Sequence, residues 1–226
     1  MRTLFILPAI LFWLVTKSEA QNTYSKKDDS DPKAKQILDK LKKNYESYSS
    51  MEVNFEVTLE FPKQKPEVQK GSLIQYGDKY QVKMTDQEIY SDGKQIWVYL
   101  KKNKQVQILD PAAAEENDMF SPKQMLRLYE TENFAYAITG QSKENGTEIT
   151  DIEFKPLSAG SEYTKMRLKV NKTQMKLVSL IVFSREGSKY TIKVNSLITN
   201  KKYASDIFVF NPKAIKGVRI EDLRID

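Results

Sequence analysis

Any chemistry in this chain must come from carboxylates, lysines and hydroxyls, because its 226 residues include neither histidine nor cysteine. Without imidazole there is no general base of the usual kind, no Ser-His-Asp triad and no His-bearing metal site. Without thiolates the common zinc sites are excluded, and no disulfide framework can staple the fold. The 30 Asp and Glu residues are spread along the chain, and no pair stands out as an acid and base. Glu115 and Glu116 beside Asp118 could meet a hard cation, but oxygen ligands must converge on it, and a solvated acidic turn accounts for the same run. Asn145-Gly146-Thr147 and Asn171-Lys172-Thr173 match the glycosylation sequon and are read as inert. The net charge of +6 fits a solvated basic face, or a preference for anionic lipid or acidic partners. No nucleic-acid motif accompanies it.

The sequence offers patterned apolar surface instead. From Met51 to Phe61 every odd position is apolar (Met51, Val53, Phe55, Val57, Leu59, Phe61), and polar residues stand between them. Such alternation places one face of a strand in water and the other against an apolar interior. Phe55 and Val57 from this face, with Leu73, Tyr80, Val82, Met84, Ile96 and Trp97, could furnish a cavity for an apolar ligand. Leu41 and Tyr45 could close it from a helix, and Met119, Phe120, Met125 and Leu126 could form an adaptable cover, because unbranched methionine conforms to varied ligands. The same residues could equally fill an ordinary core.

These residues need elements to position them. Asp31-Pro32 is a capping residue followed by proline at the first helical position. Ala34, Ile37, Leu38, Leu41, Tyr45 and Tyr48 then recur at helical spacing. Strands are expected at 71–76, 79–85, 87–90, 95–100, 105–109, 134–140, 147–154, 163–170, 177–184, 189–198 and 207–210. Gly77-Asp78, Asp92-Gly93, Asn145-Gly146 and Glu186-Gly187 supply tight turns. Roughly ten strands with short connections argue for one antiparallel sheet, strongly curved or partly closed. One interval, Asp110 to Tyr129, breaks the meander. Ser121-Pro122 opens a short apolar helix there, and Met119 to Tyr129 is expected to be a movable lid.

The N-terminus addresses the compartment. Arg2 precedes the apolar run Leu4 to Val15, and Ser18 and Ala20 supply small residues before a cut. That order reads as a secretory signal peptide over 1–20, since a run of twelve is short of the roughly 20 residues that span a bilayer. Residues 21–30 read as a flexible leader, and 31–226 as a single soluble domain held together by core burial alone.

In order and spacing, several segments together resemble one family. They are Ser50-Met51-Glu52-Val53-Asn54-Phe55, Gly71-Ser72-Leu73, and the run from Tyr90 through Ser91-Asp92-Gly93-Lys94 to Tyr99. The ending Phe208-Val209-Phe210-Asn211-Pro212, then Gly217-Val218 and Glu221-Asp222-Leu223-Arg224, completes the set. The chain resembles the periplasmic outer-membrane lipoprotein carriers, the LolA family, over nearly all of 31–226. The resemblance implies an α+β, mainly β fold, with an incomplete β-barrel covered by an N-terminal helix and a lid of short helices. It also implies acylated lipoproteins as cargo, an inner-membrane ABC-type complex that loads the carrier, an outer-membrane receptor that unloads it, and a monomeric periplasmic protein without a cofactor or catalysis. Two alternatives stand beside it, a periplasmic lipid- or lipoprotein-sensing module and an enzyme using carboxylates or a serine-lysine pair. One departure is visible. Family members carry an arginine after the glycine-leucine strand that holds the lid closed, whereas Leu73 to Lys79 contains none, and lysine does not replace its planar fork of donors.

Overall fold

Helix α1 (Pro32–Glu46) begins where the capping signal places it. The Asp31 side chain accepts the Lys33 N–H at 2.7 Å, and Pro32 occupies the first turn, where its missing N–H costs nothing. The helix buries Ala34, Ile37, Leu38, Leu41 and Tyr45 and turns its lysines outward. The computed structural model describes residues 26–111, 127–144 and 146–224. Just before α1, Lys27–Asp29 forms a 3-10 turn, and the Lys27 ammonium donates to the carbonyls of Tyr129 and Thr131. The docked part of the chain therefore starts a few residues ahead of the capping Asp31.

Twelve strands follow: β1 (Ser50–Glu60), β2 (Glu67–Tyr76), β3 (Lys79–Lys83), β4 (Gln87–Ser91), β5 (Ile96–Leu100), β6 (Gln105–Leu109), β7 (Phe134–Glu144), β8 (Thr147–Pro156), β9 (Tyr163–Asn171), β10 (Lys176–Ser184), β11 (Lys189–Thr199) and β12 (Arg219–Asp222). They form one sheet in the order β12-β6-β5-β4-β3-β2-β1-β11-β10-β9-β8-β7. Successive strands pair antiparallel through short turns in two blocks, and β1 joins the blocks by pairing with β11. The sheet is curved and open, and its end strands β12 and β7 do not meet to close a barrel. Register slips at Asn54/Phe55, Ile138/Gly140 and Leu177/Ser179 mark bulges, which bend a strand and deepen its twist.

Each half of the sheet is covered on a different face. On the inner face α1 packs over the β7–β10 half, where its apolar residues join Tyr136, Ile152, Phe154, Met166, Leu168 and Val170. On the outer face the C-terminal segment crosses the other half, and Phe210 sits against Tyr90 and Tyr99 in a cluster with Trp97 and Val106.

Near the C-terminus the structure departs from the sequence reading at two places. The strand expected at 207–210 is a 3-10 turn, Ser205–Phe208, which buries Phe208 while the Gln81 amide donates to the Ile207 carbonyl at 2.7 Å. Strand β12 has no alternation to announce it, because all four of its residues are exposed and a parallel ladder with β6, joined by Gln105 and Gln107 donating to Glu221, holds it. Most of the expected lid, including Met119, Phe120, Met125 and Leu126, lies outside the described residues, as do Glu115, Glu116 and Asp118. Its last part is anchored to the core. Tyr129 is buried in the 3-10 turn Leu128–Glu130, stacks edge-on against Tyr136 and donates to Asp39 of α1 at 2.9 Å. Among the described residues, no helix is long and apolar enough to cross a membrane.

Candidate functional site: an apolar groove on the inner face

The alternation of β1 sends Val53, Phe55, Val57 and Leu59 to the inner face, and the registers extend that stripe sideways. Val53 stands opposite Leu73, Leu73 opposite Val82, and Val82 opposite Ile89, so four strands contribute one apolar row. On the other side Phe55 faces Val194, Val57 faces Ile192 and Leu59 faces Tyr190. Strand β10 adds Leu177, Leu180 and Val182. Where α1 does not cover them, these side chains line a groove of about 620 Å³. Its floor is Val, Leu, Ile, Phe and Met, and polar liners such as Gln69, Gln87, Glu162, Ser184 and Arg185 gather toward the end where β1 runs out.

Gly71 shapes the middle of the groove. It stands directly opposite Phe55, and a Cβ built on it would overlap the Phe55 ring. Glycine therefore lets that ring lie across β2 instead of standing up into the groove. The inner end is stopped by the core. Tyr45 of α1 reaches Leu177, whose N–H donates to the tyrosine oxygen at 3.1 Å. Burial pushes the Tyr45 phenol up to about 12, with that N–H bond pulling it partly back. At the outer end, burial raises the Tyr163 phenol, and the neighbouring Glu162 charge adds to the shift. Here Arg185 fastens a turn, donating from Nε to the Ser161 carbonyl at 2.5 Å and from a terminal nitrogen to the Ala159 carbonyl at 2.8 Å. A smaller cavity of about 360 Å³ lies beside the C-terminus of α1, with a mixed lining that includes Lys42, Tyr45, Met51 and Arg127.

Of the residues singled out in the sequence, Phe55, Val57, Leu73, Val82 and Met84 line the groove. Leu41 is fully buried and, like Tyr45, belongs to the packing between α1 and the sheet. Tyr80 packs against that core. Ile96 and Trp97 part company, because successive side chains of a strand point to opposite faces. Ile96 is paired with Ser91, which is paired with Tyr80, and so shares the inner face without lining the groove. Trp97 belongs to the outer cluster with Phe210 and does not approach the groove. The sequence reading left out Leu180, Val182, Tyr190, Ile192 and Val194. Both their strands were expected from the sequence, but nothing local shows that β11 returns to pair with β1.

Among the described residues, no group of three or more carboxylates is placed to hold a metal ion. A curved open sheet thus carries a helix on its inner face and an apolar groove beside that helix. Residues 46–211 match the family model described as outer membrane lipoprotein carrier protein LolA, and the chain belongs to that family. No curated protein matches it in sequence. Among solved structures, an uncharacterised conserved protein from Thermus thermophilus superposes with a TM-score of 0.56 at 11% identity, covering 84% of this chain and 99% of that one. That likeness is one of fold. LprF from Mycobacterium bovis gives a TM-score of 0.46 at 16% identity, covering 81% of this chain and 98% of its own. A LolA superfamily protein from Nitrosomonas europaea gives 0.44 at 14% identity, covering 78% of this chain and 97% of that one.

Proposed function

We propose that this protein is a periplasmic carrier that takes the acyl chains of lipoproteins into the inner-face groove and ferries them from the inner to the outer membrane. The observation that carries the reading is the groove itself, an apolar channel left beside a well-packed core in a chain of the lipoprotein carrier family. Each methylene withdrawn from water contributes about 0.8 kcal/mol, so one long chain gains roughly 10 kcal/mol before ordering costs. A floor made mostly of hydrocarbon side chains suits an acyl chain. The groove residues of the sequence reading that lie on this floor, Phe55, Val57, Leu73, Val82 and Met84, are the proposed acyl contacts. Loading by an inner-membrane ABC-type complex and unloading to an outer-membrane receptor complete the carrier reading, with the protein acting as an exported monomer that has lost residues 1–20.

The test is lipoprotein release. Inner-membrane vesicles or spheroplasts holding a newly acylated lipoprotein are incubated with the purified protein, and the supernatant is assayed for a soluble complex. The carrier reading expects release in proportion to added protein. A protein that binds acyl chains but never releases lipoprotein from the membrane is a sensing module, and the carrier reading fails.

A further inference from the structure

The alternating directions of the strands bring the C-terminal end of β1, the turns β1–β2, β3–β4, β5–β6 and β10–β11, and the start of β12 to one rim of the sheet. The groove reaches the same rim, since Arg185 and Glu186 of the β10–β11 turn are among its liners. This rim is strongly basic. Lys63 and Lys65 stand in the β1–β2 turn, Lys102 and Lys104 in the β5–β6 turn, and Lys216 and Arg219 at the start of β12. Of these six, only Lys102 has an acidic partner among the described residues, a 3.4 Å contact to Asp86 from a side chain that is 79% exposed. The rim also carries acids, Glu60, Glu67, Asp86, Glu88 and Glu186, of which Glu60 pairs with Lys189 and Glu88 with Lys101, so the excess of positive charge rests on Lys63, Lys65, Lys104, Lys216 and Arg219.

The rim also exposes apolar side chains. Among the described residues, the two most exposed large hydrophobic side chains are Val68, 55% exposed at the second residue of β2, and Ile220, 53% exposed at the second residue of β12. Both sit at the rim ends of their strands. Unpaired cations interleaved with exposed aliphatic side chains match the interface of an anionic bilayer, where ammonium groups meet lipid phosphates and short apolar side chains enter the headgroup region.

We infer that this rim docks the protein on anionic lipid bilayers, with the groove mouth facing the membrane. The inference goes beyond acyl binding and rests on charge and topology. Docking would bring the mouth to the surface in which acyl chains are embedded, so that a chain passes into the groove with little exposure to water. Each basic side chain near an anionic surface multiplies partitioning by roughly fivefold, and the effect fades over about a Debye length.

The experiment is sedimentation of the exported, processed protein with vesicles of mixed phosphatidylglycerol and phosphatidylcholine, or of phosphatidylcholine alone, at about 0.1 M salt. The wild type is expected to partition onto the anionic vesicles and not onto the neutral ones. The quadruple variant Lys63→Glu, Lys65→Glu, Lys104→Glu, Lys216→Glu is expected to lose more than tenfold of that partitioning. A control with the same change of net charge elsewhere (Lys33→Glu, Lys40→Glu, Lys43→Glu, Lys172→Glu) is expected to stay within about threefold of wild type, because distant charges are screened. Equal losses in both variants would show that net charge alone attracts the protein and would overturn the inference. So would wild-type binding no stronger to anionic than to neutral vesicles, including the case where the rim binds only an acidic protein. Thermal melts of both variants check folding. Titration of a fluorescent long-chain fatty acid into the same samples separates the two readings, since loss of acyl binding with intact docking counts against the carrier proposal alone.

Discussion

Replacing Gly71 by valine should close the groove from the floor. Carbon atoms in contact sit about 3.5–4.0 Å apart, so a side chain at position 71 must displace the Phe55 ring by at least about 1 Å, and the larger valine by more. Strand β2 lies beneath the ring and β11 beside it, which leaves the groove as the open direction. A ring standing there excludes roughly three methylenes of a bound chain, and at about 0.8 kcal/mol each the loss is about 2 kcal/mol, or roughly thirtyfold in affinity. Crowding should also cost about 1–3 kcal/mol of stability. The assay is titration with a fluorescent long-chain fatty acid, paired with a denaturant melt. The decisive arm is the double variant Phe55→Ala, Gly71→Val. With the ring gone the valine has nothing to push, so the double variant should bind more tightly than Gly71→Val alone. Wild-type affinity in Gly71→Val, or no recovery in the double variant, would refute the placement of Phe55 across Gly71.

Three further outcomes follow from the same geometry. Val57→Glu puts a carboxylate on the groove floor, where an unpaired charge is strongly disfavoured, and acyl affinity should fall at least tenfold at neutral pH and recover as pH falls, starting above the usual carboxylate range because desolvation favours the neutral acid; full affinity at neutral pH would remove Val57 from the floor. Trp97→Ala should cost about 3–5 kcal/mol in a denaturant melt yet leave acyl affinity within about twofold, because Trp97 packs on the outer face, and a selective loss of binding in a stable variant would contradict that placement. Tyr45 has its phenol raised to about 12 in the folded state, so its contribution is fully present below about pH 10, where the unfolded chain keeps its phenol neutral, and is lost as pH rises toward 12. Melting temperature should therefore fall across that window, and less steeply in Tyr45→Phe, which starts lower because the Leu177 N–H has lost its acceptor. Identical slopes would place the titration elsewhere.

Legibility in the sequence varied with how local the deciding forces are. Asp31-Pro32 and the 3.6-residue spacing that follows are local signals, and α1 begins where they say. Six alternations over Met51–Phe61 likewise predict β1, whose odd residues do face inward. The run Ile207-Phe208-Val209-Phe210 has the same look and is not a strand. Phe208 is buried by a 3-10 turn against β3 and Phe210 by the outer cluster while Val209 is exposed, and periodicity alone does not separate that outcome from a strand. The opposite failure is β12, where Arg219-Ile220-Glu221-Asp222 buries no side chain and pairs through its backbone. For the groove, inward-facing residues could be named from alternation, but not which inward residues α1 would cover. That division depends on the pairing of β1 with β11, some 140 residues away in sequence for Asn54 and Ser196, and on where the helix comes to rest. Trp97 shows the limit at its sharpest, since choosing between it and Ile96 means fixing the phase of a strand whose residues are apolar on both faces.

The most direct test of the carrier account is native mass spectrometry of the protein recovered from the periplasm of cells that produce it. The account predicts a population heavier than the processed chain by the mass of an acylated protein, and predicts that Val57→Glu and Gly71→Val sharply reduce its share while the processed chain remains abundant. Recovery of the wild type only as the bare chain, or with bound protein whose acylation can be removed without reducing capture, would contradict the claim that the groove holds lipoprotein acyl chains.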